Sequence, residues 1–322
     1  MKKNLVSLQK DFLDLWFGMF IHFNSATFQF NTGDIMDWEY DCENGGAERK
    51  YPFNPIDWNP TELDCRQWAQ AAKSAGVRFA ALTTKHHEGF CLWPSEYTEH
   101  CIKNSPIKTD VVAEYLSAFR DEGISAGLYF SVLDLTNGIN RTQFTSEGRD
   151  LVKQQLTELL TNYGEIPFII IDGWNAPWGG PSWEELPFEE LDELIKGIQP
   201  NCLLMNIGET EDISKTDIVF FENAAGQEVP VDFYGPGVSC NILTKTWFWR
   251  SSDPTSELKS AQWAIDTVNF MNNQNVAFII NASPNTSGLI DKNLLDKYEE
   301  IGKDLKIRQP LEKISEGWLK RK

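Results

Sequence analysis

Eight short runs of apolar or β-branched residues punctuate this chain: WFGMFIHF (16–23), RFAALTTKH (78–86), SAGLYFSV (125–132), PFIIIDG (167–173), CLLMNIG (202–208), DIVFFEN (217–223), LTKTWFWR (243–250) and VAFIINAS (276–283). Most are nearly continuous rather than alternating, the pattern of strands buried on both faces in a parallel sheet. Between many of them the period lengthens to that of a helix. The segment 61–76 opens on Thr61 as its expected N-cap and closes on Gly76, and 110–123 runs likewise from Asp110 to Gly123. The segment 146–164 sets Leu151, Val152, Gln155, Leu159 and Asn162 along one side, with Leu156 and Leu160 widening the stripe. Further helices are expected within 182–200, 256–273 and 291–307, whereas 224–242 contains Gly and Pro and shows no clear helical period. This alternation predicts an α/β fold, a single (β/α)8 TIM-like barrel over residues 1–322, with no linker or second core after residue 307.

In such barrels the active site lies where the strands end. The first expected strand ends in His22 and the second in Lys85-His86-His87. The third carries Tyr129, Ser131 and Asp134, and the fourth ends in Asp172-Gly173-Trp174. The fifth and sixth end in Asn206 and Glu222-Asn223; the seventh offers Trp247, Trp249 and Arg250, and the eighth Asn281. Three of the chain's four histidines therefore fall at one end of the barrel, beside Asp172 and Glu222. One histidine alone would read as a satisfied core residue; three together predict a shared polar pocket.

Composition narrows the ligand. A net charge of −18 argues against nucleic acid or an anionic membrane as partner. It is compatible with a neutral sugar, to whose C–H faces some of the twelve tryptophans are suited. The six cysteines show no zinc-type spacing, and Cys65, Cys91 and Cys202 read as buried thiols. The first residues lack a signal peptide's apolar stretch, which predicts a cytoplasmic location for the chain as given, or a periplasmic or secreted one if a signal was removed. No apolar run approaches the ~20 residues of a membrane span.

The chemistry is reached by elimination. No HxH or HExxH pair is present, and His86-His87, as sequence neighbours, form a poor chelate, so neither a metal nor a cofactor is expected. GWNAPWGG (173–180) has Trp and Pro where a phosphate loop needs amides, and no GxSxG elbow occurs. Asp172 and Glu222 remain, a pair suited to glycoside hydrolysis, in which one carboxylate acts as nucleophile or base and the other as general acid. Gly173 is expected to give a substrate room to approach Asp172. Glu228, six residues beyond Glu222, is the competing acid.

These segments resemble glycoside hydrolase family 29, the retaining α-L-fucosidases. WFGMFIHF is similar to the family's first-strand motif, and residues 53–98 to its most recognisable block. GLYFS, ELLTNYGEIPFIIIDGW and FIINASPNTSGLI resemble its third-strand, nucleophile and eighth-strand blocks, so the likeness runs from about residue 12 to 307. It implies that His22, His86 and His87 bind fucose hydroxyls, that Tyr129 lies against the nucleophile Asp172, and that Asp37-Trp38 corresponds to a Glu-Trp pair contacting the sugar. Glu222 is assigned acid/base by strand position. Trp174, Trp178, Trp247 and Trp249 are candidates for an aromatic platform. Departures are IGET after Asn206, where many members carry an Arg, GVSC (237–240) in place of a Trp-Glu pair, and no C-terminal β-sandwich. The resemblance implies an exo-α-L-fucosidase working through a covalent fucosyl-enzyme on a fucosylated oligosaccharide or glycan, with carboxyl groups ~5–5.5 Å apart. Two alternatives stay open: a barrel glycosidase for another deoxy or methylated sugar, and a catalytically silent sugar-binding protein.

Overall fold

The computed structural model describes residues 2–29, 40–43, 46–49, 52–208 and 213–320. Its centre is a parallel barrel of β1 (Phe17–Ile21), β2 (Phe79–Lys85), β3 (Ser125–Ser131), β4 (Phe168–Asp172), β5 (Leu203–Asn206), β6 (Val219–Glu222), β7 (Gly237–Asn241) and β8 (Val276–Ala282). The strands pair in the order β5-β4-β3-β2-β1-β8-β7-β6. A parallel bridge between Ile207 and Phe220 joins the two ends, reinforced by the Asp217 amide donating to the Leu204 carbonyl at 2.7 Å. The barrel is thus nearly closed, and strand pairing shields the edges that an open sheet would expose.

Among the described residues seven helices accompany it: α1 (Leu5–Leu13), α2 (Cys65–Ser74), α3 (Val111–Asp121), α4 (Ser146–Thr161), α5 (Phe188–Ile198), α6 (Ala261–Asn273) and α7 (Lys292–Asp304), besides a one-turn helix at Ser25–Gln29. A hairpin of Tyr40–Glu43 and Gly46–Arg49 stands apart from the barrel sheet. Asp110 caps α3 as the sequence suggests, its side chain accepting from the Ala113 amide. Helix α2 starts later than expected. Asp64, not Thr61, is its N-cap and accepts from both the Arg66 and Gln67 amides, two of the donors a helix start leaves open.

Alternate strand residues face inward. Phe20, Ala81, Tyr129, Ile170, Met205, Phe220, Val238, Cys240 and Ile279 form one packed interior, while the partners of opposite parity pack against the helices. The lower layer is filled by Phe79 and Phe168, which occupy the space that glycines leave: a Cβ on Gly18 or Gly127 would meet those rings at 2.4 Å. Helix α1 closes that end, with Phe12 4.8 Å from Phe79 and 5.4 Å from Phe168 between ring centroids.

The seventh strand differs from expectation. It is Gly237–Asn241, and residues 243–250 form a loop above it. TKTWFWR alternates and is aromatic, as a strand would be, but those rings cover the barrel mouth. Between β5 and β6, and between β6 and β7, no α-helix occurs among the described residues; a single 3-10 turn, Asn223–Ala225, follows β6.

Candidate active site

The strand parity that builds the core also builds the site. Continuing each inward row past its last apolar residue gives Tyr129 and Ser131 on β3, Asp172 on β4, Glu222 on β6 and Asn281 on β8. His22 follows β1 on the same row as Phe20, its amide donating to the Ala282 carbonyl at 2.9 Å. All six stand at the C-terminal mouth.

His86 arrives there by a bulge. Strands β2 and β3 run in register from Phe79 opposite Ser125 to Thr83 opposite Tyr129, and then Lys85 pairs with Phe130. Thr84 is the extra residue, its hydroxyl donating to the Tyr129 carbonyl at 2.6 Å. One added residue exchanges the faces of everything after it. Lys85 therefore points outward, where its Nζ meets Asp134 at 3.0 Å and Gln155 of α4 at 2.9 Å and lies 4.2 Å above the Phe130 ring. His86 points inward and stacks on Tyr129 at 5.6 Å and 12°. His87 closes the same cluster, its ring centroid 4.2 Å from that of His86. The fourth histidine, His100, is a fold residue: it pairs with the buried Glu88 at 2.7 Å.

Asp172 is held on both oxygens. Its Oδ2 accepts from the Tyr129 hydroxyl at 2.6 Å and its Oδ1 from the Gly173 amide at 2.6 Å. His87 Nε2 lies 3.7 Å from Oδ2. Burial pushes the Asp172 carboxyl above its ordinary range, while the Tyr129 hydrogen bond, His86 and the Gly173 amide pull it back. Gly173 has another role than the substrate access expected of it. Its φ is +63°, and a Cβ there would come within 2.6 Å of Leu133 Cβ.

Glu222 sits in register with Cys240 of β7. Its pKa is pushed up to about 8, first by burial and then by the Asp172 charge, with His86 opposing. Glu228 is exposed on the following connection. Cys240, buried at the pocket floor, has its thiol pushed up by burial and by both carboxylates. Burial also drives the His22 and His87 pKa values well below the usual imidazole range, with His86 adding to both shifts.

The tryptophans divide. Trp247, on the loop after β7, stacks on His22 at 4.9 Å and 29°, and Phe248 beside it stands edge-on to both His22 and His86. Trp178 lies 5.2 Å from His87 and packs with Leu133 and Leu135. Trp174 does not join them: only 2% exposed, it stacks on Phe188 and donates its indole N–H to the Leu186 carbonyl. It is core, against the expectation of a sugar contact. Trp249 donates to Asp291 at 2.6 Å and pins the 243–250 loop to the segment after β8. Asp37 and Trp38 lie outside the described residues. Two further residues join the site: Asn281, for which the inward row of β8 carries the sequence signal, and Phe248, which nothing local in the sequence distinguishes.

Donor atoms of His86, His87 and Asp172 lie within 4.8 Å of one another, close enough for a small cation despite the adjacency of the two histidines in sequence. The same cluster presents two neighbouring imidazoles and a hydrogen-bonded carboxylate, which suits a polyol equally well. No described helix is long and apolar enough to cross a membrane.

Fold and site together define a (β/α)8-barrel protein whose mouth pairs a hydrogen-bonded aspartate with a glutamic acid of raised pKa. A family model described as alpha-L-fucosidase matches residues 2–309. The chain belongs to that family, glycoside hydrolase family 29. It is 32% identical over 310 residues to alpha-L-fucosidase 1 of Arabidopsis thaliana, an alignment covering 88% of this chain and 57% of that protein. It therefore spans little more than half the length of such curated relatives. Alpha-L-fucosidase isoenzyme 1 from Paenibacillus thiaminolyticus is similar in structure, with a TM-score of 0.75 at 27% identity, covering 93% of this chain and 76% of that one. A GH29 alpha-L-fucosidase from Bacteroides thetaiotaomicron, solved as a trapped covalent intermediate with 2-fluoro-fucosyl fluoride, shares the fold: TM-score 0.74, 23% identity, covering 94% and 75%.

Proposed function

We propose that this chain is a retaining exo-α-L-fucosidase that hydrolyses terminal α-L-fucosyl linkages of oligosaccharides or glycans. The observation that carries the reading is the unequal treatment of two facing carboxyls by their surroundings. Asp172 has Tyr129 O–H and the Gly173 amide to support its charge. Glu222 is held near 8 by burial and by that same charge, so near neutral pH it keeps its proton. Burial raises both carboxyls, but only Asp172 has hydrogen-bond donors that oppose the rise, and such unequal surroundings are what assign acid and nucleophile roles in such enzymes.

The steps follow from that division. Asp172 attacks the anomeric carbon while Glu222 protonates the departing glycosidic oxygen, leaving a fucosyl-Asp172 ester. Glu222, now ionised, takes a proton from water, which attacks the same carbon and frees Asp172 with net retention. His22, His86 and His87 bind ring hydroxyls, and Trp247 and Trp178 flank the apolar side of the sugar. A covalent intermediate trapped in a protein of the same fold supports the first step.

The test is release of free L-fucose from an aryl α-L-fucoside and from α1,2-, α1,3-, α1,4- and α1,6-fucosylated oligosaccharides. Release by the wild type and not by Asp172→Asn is expected, and the pattern over the panel gives the linkage. No release from any member contradicts the reading.

A further inference from the structure

Two hydrogen-bond chains beneath the imidazoles fix where their protons sit. Ser131 is buried and has one hydroxyl proton. Its Oγ stands 2.7 Å from the Leu133 carbonyl oxygen and 2.7 Å from His87 Nδ1. Two oxygens that close need a proton between them, so the hydroxyl donates to Leu133. What remains on Oγ is a lone pair, and His87 Nδ1 must be the donor to it. Asn281, on β8 three strands away, repeats the logic for His22. Its Nδ2 donates to the Trp247 carbonyl at 2.6 Å, which turns Oδ1 toward His22 Nδ1 at 2.6 Å. An amide oxygen only accepts, so the proton between them is the imidazole's.

Both rings are neutral, because burial disfavours the imidazolium. A neutral imidazole with its proton on Nδ1 carries a lone pair on Nε2. For His87 that lone pair lies 3.7 Å from Asp172 Oδ2, longer than a hydrogen bond, as two acceptors should stand. For His22 the ring lies at the same mouth, 6.2 Å from His86 and 6.4 Å from Tyr129 between centroids.

We propose that Ser131 and Asn281 are positioning residues that hold His87 and His22 as Nδ1–H tautomers, so that the pocket selects a ligand by two hydroxyls that donate to Nε2. The proposal rests on the fucosidase reading for the identity of the sugar, and on the protein alone for the tautomers. Its chemical consequence is sharp. Fluorine accepts hydrogen bonds weakly and donates none, so at these two ring positions a fluorine serves no better than a hydrogen atom. A pocket of Nε2–H donors would instead keep part of its affinity for the fluorinated sugar.

The experiment has two arms on the intact chain. Long-range 15N–1H correlation of the imidazoles resolves only four histidines, assigned by single His→Gln variants. His22 and His87 should both show the Nδ1–H pattern at neutral pH; an Nε2–H or doubly protonated pattern for either overturns the proposal. Asn281→Leu should disturb the pattern of His22 and not of His87, and Ser131→Ala the reverse. Loss of neither pattern overturns the positioning roles. In the second arm, calorimetry compares L-fucose with its deoxy and deoxyfluoro analogues at each ring hydroxyl. At two positions both analogues should bind about 10-fold or more weakly, and equally so. Fluoro analogues that keep affinity where the deoxy analogues lose it overturn the inference. Silence of every sugar sinks the fucosidase reading, while the spectrum still decides the tautomers.

Discussion

The mouth of the barrel has two unlike halves. From β1 to β4 each strand leads to a helix, and Asp172 and two of the imidazoles are tied to a named partner: Tyr129 and Gly173 to Asp172, Ser131 to His87, Asn281 of the adjoining β8 to His22. From β5 to β7 no α-helix occurs among the described residues, and Glu222 takes its character from burial and from the charge across the pocket. Both carboxyls are desolvated; the first half opposes that with hydrogen bonds that support a charge, and the second adds to it the repulsion of a neighbouring charge. A nucleophile and an acid need those opposite treatments, and the two halves supply them within one ring of strands.

The comparison breaks first at Asp172. Asp172→Asn should lower kcat on an aryl fucoside by on the order of 10^4 or more while sugar binding stays measurable by calorimetry. Glu222→Gln should cost about 10^2 to 10^4 on natural substrates, with azide restoring part of the rate on an aryl fucoside. The pH profile separates these roles. A general acid works protonated, so wild-type kcat/KM should fall as pH rises through about 8, and that alkaline limb should vanish in Glu222→Gln. If Glu228→Gln, rather than Glu222→Gln, removed the limb, the second half would be wrongly assigned.

A stability experiment probes the support behind the first half. Lys85 and Asp134 form an ion pair with both side chains wholly buried. Lys85→Met strands the Asp134 charge and should cost about 3–5 kcal/mol in chemical denaturation. A loss below about 1 kcal/mol would mean that the bulge, not the ion pair, keeps residue 85 outside. The smallest effect is expected at Tyr129. Tyr129→Phe removes a hydrogen bond to ionised Asp172, worth about 1.5–3 kcal/mol. The Asp172 pKa then rises, the acidic limb of kcat/KM moves to higher pH, and the maximum rate falls by roughly 10-fold. An acidic limb that stays in place would assign it to another group.

The two halves were also unequally legible in the sequence. Strands ending in His22, Asp172 and Asn281 are long apolar runs with one polar residue at the end, and parity alone places that residue. KHH could be located but not oriented, because a bulge at Thr84 leaves no mark that a strand pattern detects. The seventh strand lies elsewhere than the pattern predicts, for a physical reason. GVSCN is short and carries Gly, Ser and Asn, whereas LTKTWFWR has the aromatic, alternating look of a strand and is instead the loop that brings Trp247 and Phe248 over the histidines. Trp174 follows Asp172 closely in sequence, yet the left-handed turn at Gly173 sends it to the core against Phe188. The raised pKa of Glu222 depends on burial and then on a charge fifty residues away, and is a property of the folded barrel only.

The central claim, that Asp172 bears the covalent intermediate while Glu222 serves as acid and base, is tested most directly by trapping. Incubation of the Glu222→Gln variant with 2-fluoro-fucosyl fluoride, followed by proteolysis and peptide mass spectrometry, should place one 2-fluoro-fucosyl group on Asp172. A label on any other carboxylate, or none on Glu222→Gln protein that still binds L-fucose, would contradict the account.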